Sequence, residues 1–255
     1  MQHQKEVYLL MIITLCGKGG CGKSTVSALL AKELSHMGKN VLVIDADESN
    51  FGLYRQLGAE LPRDFTDFLG GRAGIFKHPK GTEVSYFEEK WTLDTLPKDY
   101  VTEKDGVRLV SVGKIHDANE GCACAMGAFA KQLLPNLSLT ENDVVIADME
   151  AGVEHFGRGI DNLADKILMV IDPSFESLQL SKKITAMAES IHKPVYYILN
   201  KTDTASEAFL TEELGTDAIA AVLPASSEIA AAGLRGEELT ARFDAIHSLA
   251  EKLLL

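Results

Sequence analysis

A glycine-rich loop near the start of the chain carries the clearest chemical signal. Residues 17–24 read Gly-Lys-Gly-Gly-Cys-Gly-Lys-Ser and fit the phosphate-binding pattern G-x-x-x-x-G-K-[S/T]. Glycines let backbone N–H groups surround phosphates without side-chain clashes. Lys23 supplies a charge to the β- and γ-phosphates, and the Ser24 hydroxyl suits Mg²⁺. The residues predicted to contact a nucleotide at this loop are Gly17, Gly19, Gly20, Cys21, Gly22, Lys23, Ser24 and Thr25.

Acidic residues follow two apolar runs of the sequence. Asp45 and Asp47 come directly after the run Val41–Ile44, and Asp148 comes after the run Val144–Ala147. Carboxylates at the carboxyl ends of strands beside a phosphate loop can hold Mg²⁺ and orient an attacking water. We predict this role for Asp47 and Asp148, whereas Asp45 is equally open to a role in capping its strand.

The segment 200–203, Asn-Lys-Thr-Asp, is a candidate site for reading the base. It follows an apolar strand signal and fits the pattern N-K-x-D, in which the aspartate binds guanine. Four residues with one free position are a weak signal, so adenine and guanine both stay open on this evidence alone. We predict base contacts for Asn200 and Lys201, and backbone contacts for Leu223 and Pro224 at the end of the last predicted strand.

Two closely spaced cysteines form a candidate metal site. Residues 121–127 read Gly-Cys-Ala-Cys-Ala-Met-Gly, so the thiols of Cys122 and Cys124 can face one ion. They supply two of the four ligands that tetrahedral Zn²⁺ or thiolate-bound Ni²⁺ requires. A two-fold homodimer would supply the other two at its interface. A redox dithiol, a shared iron–sulfur cluster and two inert core residues are the alternatives. Cys16 and Cys21 are better explained by strand burial and by a tolerant loop position.

The elements that must position these residues alternate between strand and helix signals. Continuous apolar runs predict strands that are buried on both faces of a parallel sheet. The pattern predicts an α/β fold with a single doubly wound, mostly parallel sheet flanked by helices, and ligands at the carboxyl ends of its strands. The predicted strands are Ile12–Cys16, Asn40–Asp45, Arg108–Val112, Val144–Asp148, Ile167–Ile171, Val195–Leu199 and Ile219–Leu223.

The domain organisation follows from the same pattern. We expect residues 11–255 to form a single P-loop domain and residues 1–10 to be an extension before the first strand. The stretch 61–106 interrupts the alternation with prolines, glycines, many charges and the single tryptophan, Trp91. We interpret it as an irregular insertion at the rim, which either binds a partner or only fills surface.

Composition and charge narrow the classes of function. The 255 residues are 46% hydrophobic and 24% charged, which is ordinary for a globular protein. The net charge of −12 disfavours a nucleic-acid or membrane partner, since both need a positive surface. No apolar run reaches the roughly 18 residues of a membrane span, and four cysteines are too few for a disulfide scaffold. We therefore expect a cytoplasmic protein.

Lys18 gives the glycine loop a more specific character. The run Lys18–Ser24 fits K-G-G-x-G-K-[S/T] and resembles the deviant Walker A loop of the MinD, ParA and nitrogenase iron-protein superfamily. The resemblance implies that Lys18 reaches the nucleotide of a second subunit in a homodimer. It also implies that Asp47 is the switch residue nearest the attacking water, Asp148 the Walker B acid and Asn200 an adenine contact. ATP or ADP with Mg²⁺ is then favoured over GTP. The predicted catalytic residues are Lys18, Lys23, Asp47 and Asp148.

Two further segments narrow the resemblance. The C-A-C-x-M-G segment and the run Asp148–Gly159 together resemble the CooC family of nickel-inserting maturation ATPases. This resemblance implies a homodimer that holds Ni²⁺ or Zn²⁺ between two copies of Cys122 and Cys124 and delivers it to apo carbon monoxide dehydrogenase. Glu48 stands where a proline is usual, and the stretch 61–106 matches only loosely. Glu150 and His155 are candidates for sensing the nucleotide state, although packing or capping explains His155 equally well.

Three rival classes share parts of this pattern. A GTP-dependent nickel insertase, similar to those of hydrogenase and urease maturation, would explain the N-K-x-D segment. A positioning ATPase of the MinD or ParA kind would use the same loop, but the final segment, Thr240–Leu255, has only Arg242 and Lys252 as cations, so we expect it to pack onto the domain. An electron-donating iron protein would spread its cluster cysteines more widely along the chain.

Overall fold

The computed structural model describes residues 11–71, 74, 87, 89–115 and 124–255. In this part of the chain one sheet of eight strands forms the centre of the molecule. The strands are β1 (Met11–Gly17), β2 (Asn40–Asp45), β3 (Thr102–Lys104), β4 (Val107–Ser111), β5 (Asp143–Asp148), β6 (Lys166–Ile171), β7 (Val195–Thr202) and β8 (Ile219–Pro224). Their order is β3-β4-β2-β5-β1-β6-β7-β8, and every neighbouring pair is parallel except β3 with β4.

Helices cover both faces of this sheet. Within the described residues they are α1 (Lys23–His36), α2 (Leu53–Leu57), α3 (Cys124–Asn136), α4 (Glu154–Arg158), α5 (Phe175–Ser190), α6 (Thr204–Leu214), α7 (Ser227–Arg235) and α8 (Asp244–Leu254). One face packs against α1, α2, α7 and α8, and the other against α3, α5 and α6. The predicted doubly wound, mostly parallel sheet is therefore confirmed.

All seven strands that the apolar runs predicted are present. The central strands β1, β2, β5 and β6 are almost entirely buried, and each residue of Ile167–Ile171 is fully inaccessible to solvent, whereas β7 and β8 also carry half-buried residues. Burying one such aliphatic side chain contributes about 1.5–3 kcal/mol relative to leaving it exposed. The short strand β3 was not predicted, because three residues with polar side chains at an antiparallel edge carry no apolar signal.

The register of the sheet brings the predicted acidic residues to one edge. Asp148 at the end of β5 is aligned with Leu15 of β1 and with Asp45 of β2. β1 lies between β5 and β6, so strands β2 to β5 are on one side of it and strands β6 to β8 are on the other. Such a reversal opens a crevice at the carboxyl ends of the strands, which is where ligands bind in this architecture.

The described part of the insertion 61–106 is held by aromatic packing. Phe65 is fully buried, and its ring lies within about 6.5 Å of five other aromatic rings. The backbone of Trp91 also forms two hydrogen bonds near the end of α3. Its N–H donates to the Asn136 carbonyl (3.0 Å), and its carbonyl accepts from the N–H of Ser138 (2.7 Å). The rings around Phe65 are Phe68, Phe87, Trp91, Tyr100 and Phe129. The described part of this stretch is therefore packed against the face of the sheet that carries α3.

The final helix lies against the domain. The apolar residues of α8 that face inward are buried, and the helix contacts α1 and β8. The expectation that this segment packs onto the domain is confirmed. Among the helices that the structure describes, none has the length and apolar composition that crossing a membrane requires.

Candidate functional site

The glycine loop joins the end of β1 to the start of α1. Gly17 has a φ of 146°, and a Cβ atom placed on it would lie 2.5 Å from the carbonyl oxygen of Val170 on the neighbouring strand β6. A side chain is therefore excluded at this position. Gly22, with a φ of 103°, is the N-cap of α1, so the loop turns sharply into the helix. The free N–H groups of the first helical turn and the helix dipole then face the crevice, which favours an anion there.

A cavity of about 430 Å³ opens beside this loop at the carboxyl edge of the sheet. It brings the loop together with the segment after β2, with a residue that follows β5 and with a residue near the end of β7. Its lining residues are Gly19, Gly20, Gly22, Lys23, Ser24, Thr25, Asp47, Ser49, Asn50, Gln56, Ala151 and Lys201. Six of the eight predicted loop residues, together with Asp47 and Lys201, thus line one space. The predicted nucleotide contacts Gly17, Cys21, Asn200, Leu223 and Pro224 are not among the residues that line it.

Ser24 stands at the centre of a hydrogen-bond network in this cavity. Its Oγ donates to Asp148 Oδ2 (2.6 Å) and accepts a hydrogen bond from Asn50 Nδ2 (2.5 Å). Ser27 Oγ donates to the other oxygen of Asp148 (3.1 Å). Burial raises the pKa of Asp148, and the hydrogen bond from Ser24 opposes that rise. Ser24 and Asp148, predicted from separate motifs, are therefore in direct contact.

Asp45 and Asp47 are neighbours in sequence but have different surroundings. Asp45 is buried, and its carboxylate accepts from Lys114 Nζ (2.7 Å) and from the backbone N–H of Asp47 (3.3 Å). Burial raises the pKa of Asp45, and Lys114 opposes that rise. Asp47 lines the cavity and accepts from the N–H (3.0 Å) and hydroxyl (2.6 Å) of Ser49. The geometry therefore leaves Asp45 with an internal structural role and places Asp47 toward the cavity.

Lys18 extends along the opposite side of the loop from Asp47. Its Nζ donates to Ser174 Oγ (3.0 Å) and lies 3.2 Å from Asp172 Oδ2, just beyond the end of β6. Burial alone would raise the pKa of Asp172, but hydrogen bonds from Ser177, Ser174 and Lys18 lower it below its ordinary value. In the single chain, Lys18 is thus paired with an acid of its own subunit.

Two residues of the N-K-x-D segment donate hydrogen bonds to the glycine loop. Asn200 Nδ2 donates to the carbonyl of Cys21 (2.8 Å), and Lys201 Nζ donates to the carbonyl of Gly20 (2.7 Å). The Asp203 carboxylate accepts from the N–H of Ser206 (2.8 Å) and caps the start of α6. In this structure, the residue that would read guanine is therefore engaged in helix capping.

The cysteine pair is only partly covered by the structure. Cys122 lies outside the described residues, and Cys124 is the first residue of α3, with its side chain also outside the description. Among the described residues, no group of three or more histidine, cysteine or acidic side chains is arranged to hold a metal ion. Cys16 and Cys21 are buried, and burial raises the pKa of both thiols, that of Cys21 to about 11. The predicted metal site stays a prediction.

His155 and Glu150 lie in the segment after β5. His155 is buried, with Nδ1 2.7 Å from Asp161 Oδ2 and Nε2 3.2 Å from the carbonyl of Gly152. Thr14 Oγ1 donates to the second oxygen of Asp161 (3.1 Å), which ties the cluster to β1. This geometry favours the packing interpretation of His155. Glu150 is half-buried at the start of the segment.

Sequence reasoning missed several residues at or beside the cavity, among them Asn50, Gln56 and Lys114. Asn50 contacts Ser24, and Lys114 donates to Asp45 and to two carbonyl groups of the segment after β2. Gln56 lines the cavity with a buried Oε1 atom that has no hydrogen-bond partner in the described part of the chain. Asn50 and Gln56 follow Asp47 closely and could have been suspected from that spacing. Lys114 gives no such signal, because its role comes only from tertiary packing.

Comparison with known proteins places the chain among nucleotide-binding domains. A family model described as the CobQ/CobB/MinD/ParA nucleotide binding domain matches residues 12–239. An uncharacterized ATP-binding protein of Methanocaldococcus jannaschii is 48% identical over 247 residues, 95% of this chain and 99% of that protein. The carbon monoxide dehydrogenase accessory protein CooC of Rhodospirillum rubrum is 34% identical over 199 residues, 75% of this chain and 74% of that protein.

A solved structure gives the same picture of the fold. The septum site-determining protein MinD of Pyrococcus horikoshii, complexed with Mg-ADP, superposes with a TM-score of 0.68 over 96% of both chains. Its sequence is 18% identical to this chain, so the likeness concerns the architecture.

Proposed function

Because the chain belongs to the CobQ/CobB/MinD/ParA family of nucleotide-binding domains, we propose that it hydrolyses ATP and couples this turnover to delivery of a metal ion. The observation that carries the proposal is the cysteine pair of residues 122 and 124 in a chain that is 34% identical to a carbon monoxide dehydrogenase accessory protein. The proposed recipient is an apo carbon monoxide dehydrogenase.

In the proposed hydrolysis, some residues of the chain bind the phosphates and others orient the attacking water. Lys23 and the N–H groups of the glycine loop bind the phosphates, and Asp47 orients the attacking water. Ser24, Asp47 and Asp148 offer the oxygen ligands that Mg²⁺ prefers, and the ion would neutralise charge on the phosphates. Gln56 lines the same cavity, and its buried Oε1 atom, which has no hydrogen-bond partner among the described residues, leaves an acceptor beside the proposed nucleotide site.

A homodimer is the proposed working form. Lys18 would exchange its bonds to Ser174 and Asp172 for the phosphates of a nucleotide in a second subunit. Since the Lys18 side chain is 31% exposed, this exchange requires little rearrangement of the core. Sedimentation velocity of the full chain with Mg-ATP should show a dimer, and Lys18→Met should prevent it. A wild-type chain that stays monomeric with ATP and metal would rule out the dimer.

The proposed cargo is Ni²⁺ or Zn²⁺, bound by the thiolates of Cys122 and Cys124 from two subunits. Thiolate ligation predicts that affinity falls at acid pH, because the ligands must lose their protons. Cys16 and Cys21 are unsuited to this role, since they are buried and burial raises their thiol pKa.

Metal content is the direct test of this assignment. Purified full-length protein loaded with Ni²⁺ or Zn²⁺ should bind about 0.5 ion per chain, since a two-fold site is shared. Cys122→Ala/Cys124→Ala should abolish this binding, while the matched control Cys16→Ala should retain it. Stoichiometric binding that survives the double substitution would remove the cysteine pair from the proposal.

Nucleotide choice separates this proposal from a GTP-dependent insertase. The capping role of Asp203 supports ATP, because that carboxylate is engaged with Ser206. Turnover with Mg-ATP should exceed turnover with Mg-GTP by at least about tenfold, the usual scale for one lost polar recognition contact. Equal or faster GTP turnover would favour the insertase of the GTPase kind.

A positioning ATPase of the MinD or ParA kind is the second candidate, because the family itself includes these proteins. The burial of the apolar residues of α8 against the domain argues against a membrane-binding tail. Co-sedimentation with anionic liposomes and with DNA, each with and without ATP, tests this candidate. ATP-dependent binding to either one would favour it over metal delivery.

A further inference from the structure

Lys114 lies beside the candidate site but outside its cavity. We propose that Lys114 is a positioning residue that fixes the segment 46–52, here called the switch loop, for hydrolysis. The inference rests on the proposed ATP hydrolysis and adds a residue to it. The Lys114 side chain is 0% exposed, and its Nζ donates to Asp45 Oδ2 (2.7 Å), Asp47 O (2.6 Å) and Asn50 O (2.6 Å).

The three acceptors explain what the lysine does. A protonated amine has three donors, and here two of them bind backbone carbonyls of the switch loop three residues apart. The third binds the carboxylate at the end of β2, which makes burial of the charge tolerable. Lys114 therefore ties both ends of the turn between Asp47 and Asn50 to the carboxyl end of β2.

The position of the switch loop determines where two of its side chains lie in the cavity. Asn50, whose carbonyl is held by Lys114, places its side-chain amide on Ser24 Oγ. Asp47, held in the same way, directs its carboxylate into the cavity. A shift of either carbonyl would thus move a side chain that faces the proposed phosphate site, and displacements of about 1 Å can cost roughly 100-fold in rate.

Lys114 is itself held firmly. Its backbone N–H donates to Asp64 Oδ2 (3.0 Å), and the flanking N–H groups of Val112 and Ile115 donate to the carbonyls of Asp45 (2.9 Å) and Glu48 (3.1 Å). The segment 112–115 therefore runs beside the switch loop, bonded at one end to the last residue of β2 and at the other to the switch loop itself. A lysine on a mobile segment could not fix its neighbour, whereas this one can.

The alternative is that Lys114 only neutralises Asp45. Three full-length variants separate the two roles. Lys114→Met removes all three bonds, and Asp45→Asn keeps an oxygen acceptor for Lys114 while removing the charge. Lys32→Met is the matched control, because Lys32 Nζ also bridges a carboxylate, Glu238 Oε1 (2.5 Å), and a carbonyl, that of Leu239 (2.8 Å), away from the cavity.

ATP turnover and ADP affinity are the first readouts. We expect Lys114→Met to lower kcat at least about tenfold, with the Kd for ADP changed less than about threefold, since Lys23 and the glycine loop are intact. Asp45→Asn and Lys32→Met should keep kcat within about threefold of wild type. An equal loss of kcat in Asp45→Asn and Lys114→Met would assign the effect to the ion pair and overturn the proposal.

Amide hydrogen exchange provides a readout that does not depend on turnover. Exchange in peptides covering 46–52 should rise in Lys114→Met, while β1 and α1 stay protected. If the wild type does not hydrolyse ATP, the proposed function fails, and exchange in 46–52 still decides the role of Lys114. Should Lys114→Met not fold, Asp45→Asn/Lys114→Met replaces it in both measurements. Wild-type exchange in the switch loop of the folded variant would overturn the proposal.

Discussion

Two lysine–aspartate pairs flank the glycine loop, and they differ in burial. Lys114 and Asp45 lie beside β2 with side chains 0% and 4% exposed. Lys18 and Asp172 lie beyond β6 with side chains 31% and 16% exposed. Both pairs have N···O distances near 3 Å, at 2.7 Å and 3.2 Å. The two pairs thus have similar contact distances but differ in their exposure to solvent.

The difference indicates which pair can open during function. Breaking a buried pair leaves an uncompensated charge in a low-dielectric interior, whereas a partly exposed pair exchanges its partner for water. Lys114 therefore suits a permanent anchor and Lys18 suits a residue that changes partners. The proposed exchange of Lys18 between Asp172 and a second subunit agrees with this division.

The largest effect should come from opening the buried pair. Lys114→Met should lower the free energy of unfolding by about 3–5 kcal/mol, because Asp45 stays buried without its partner. Chemical denaturation at pH 7, followed by circular dichroism, measures this change. Asp45→Asn/Lys114→Met should recover most of the loss, since removing both charges avoids the unpaired one. A loss no greater than that of Lys18→Met would erase the contrast between the two pairs.

A smaller effect is expected at Asp172. Asp172→Asn should destabilise the protein by about 1–2 kcal/mol at pH 7, because hydrogen bonds from Ser174, Ser177 and Lys18 lose a charged acceptor. The pKa of Asp172 is lowered on folding, so its contribution is present above its unfolded value of about 3.9 and is lost as pH falls through the folded value. The difference between wild type and variant should therefore begin to shrink below about pH 4 and close only below the lowered folded pKa of Asp172. Unfolding measured from pH 3 to 7 tests this, and a constant difference would contradict it.

The smallest effect on stability should come from Lys18. Lys18→Met should change the free energy of unfolding by less than about 1 kcal/mol, because its pair is partly exposed and screened by water. Denaturation of the nucleotide-free chain at pH 7 measures this. A loss of 3 kcal/mol or more would mean that Lys18 is a structural anchor like Lys114, and would weaken its proposed role between subunits.

The sequence was informative wherever local chemistry determines structure. Apolar runs located seven strands, and the spacing of the glycine loop with Lys18 indicated the superfamily that the family match confirms. The glycine motif placed Ser24, and the apolar runs before Asp47 and Asp148 placed these two acids, at one edge of the sheet; the register of β1, β2 and β5 accounts for their proximity. In a parallel sheet this edge follows from strand order alone.

The sequence was silent wherever partners are distant along the chain. Lys114 lies 69 residues from Asp45, and no local pattern distinguishes it from a surface lysine. The packing of Phe65 among rings from separate segments is equally invisible to periodicity. The pattern N-K-x-D gave no sign that Asn200 and Lys201 donate to the glycine loop, and their contact with the base stays a prediction. Such contacts depend on the assembled fold.

The burial of Cys16 and Cys21 has a practical consequence. At neutral pH both thiols are protonated and shielded, so an alkylating dye has little access to them in the folded chain. Dye uptake by the native protein would then report on the two other cysteines of the sequence, Cys122 and Cys124. Fluorescence labelling of Cys122 and Cys124 can therefore be carried out on the wild-type chain, without first replacing Cys16 or Cys21.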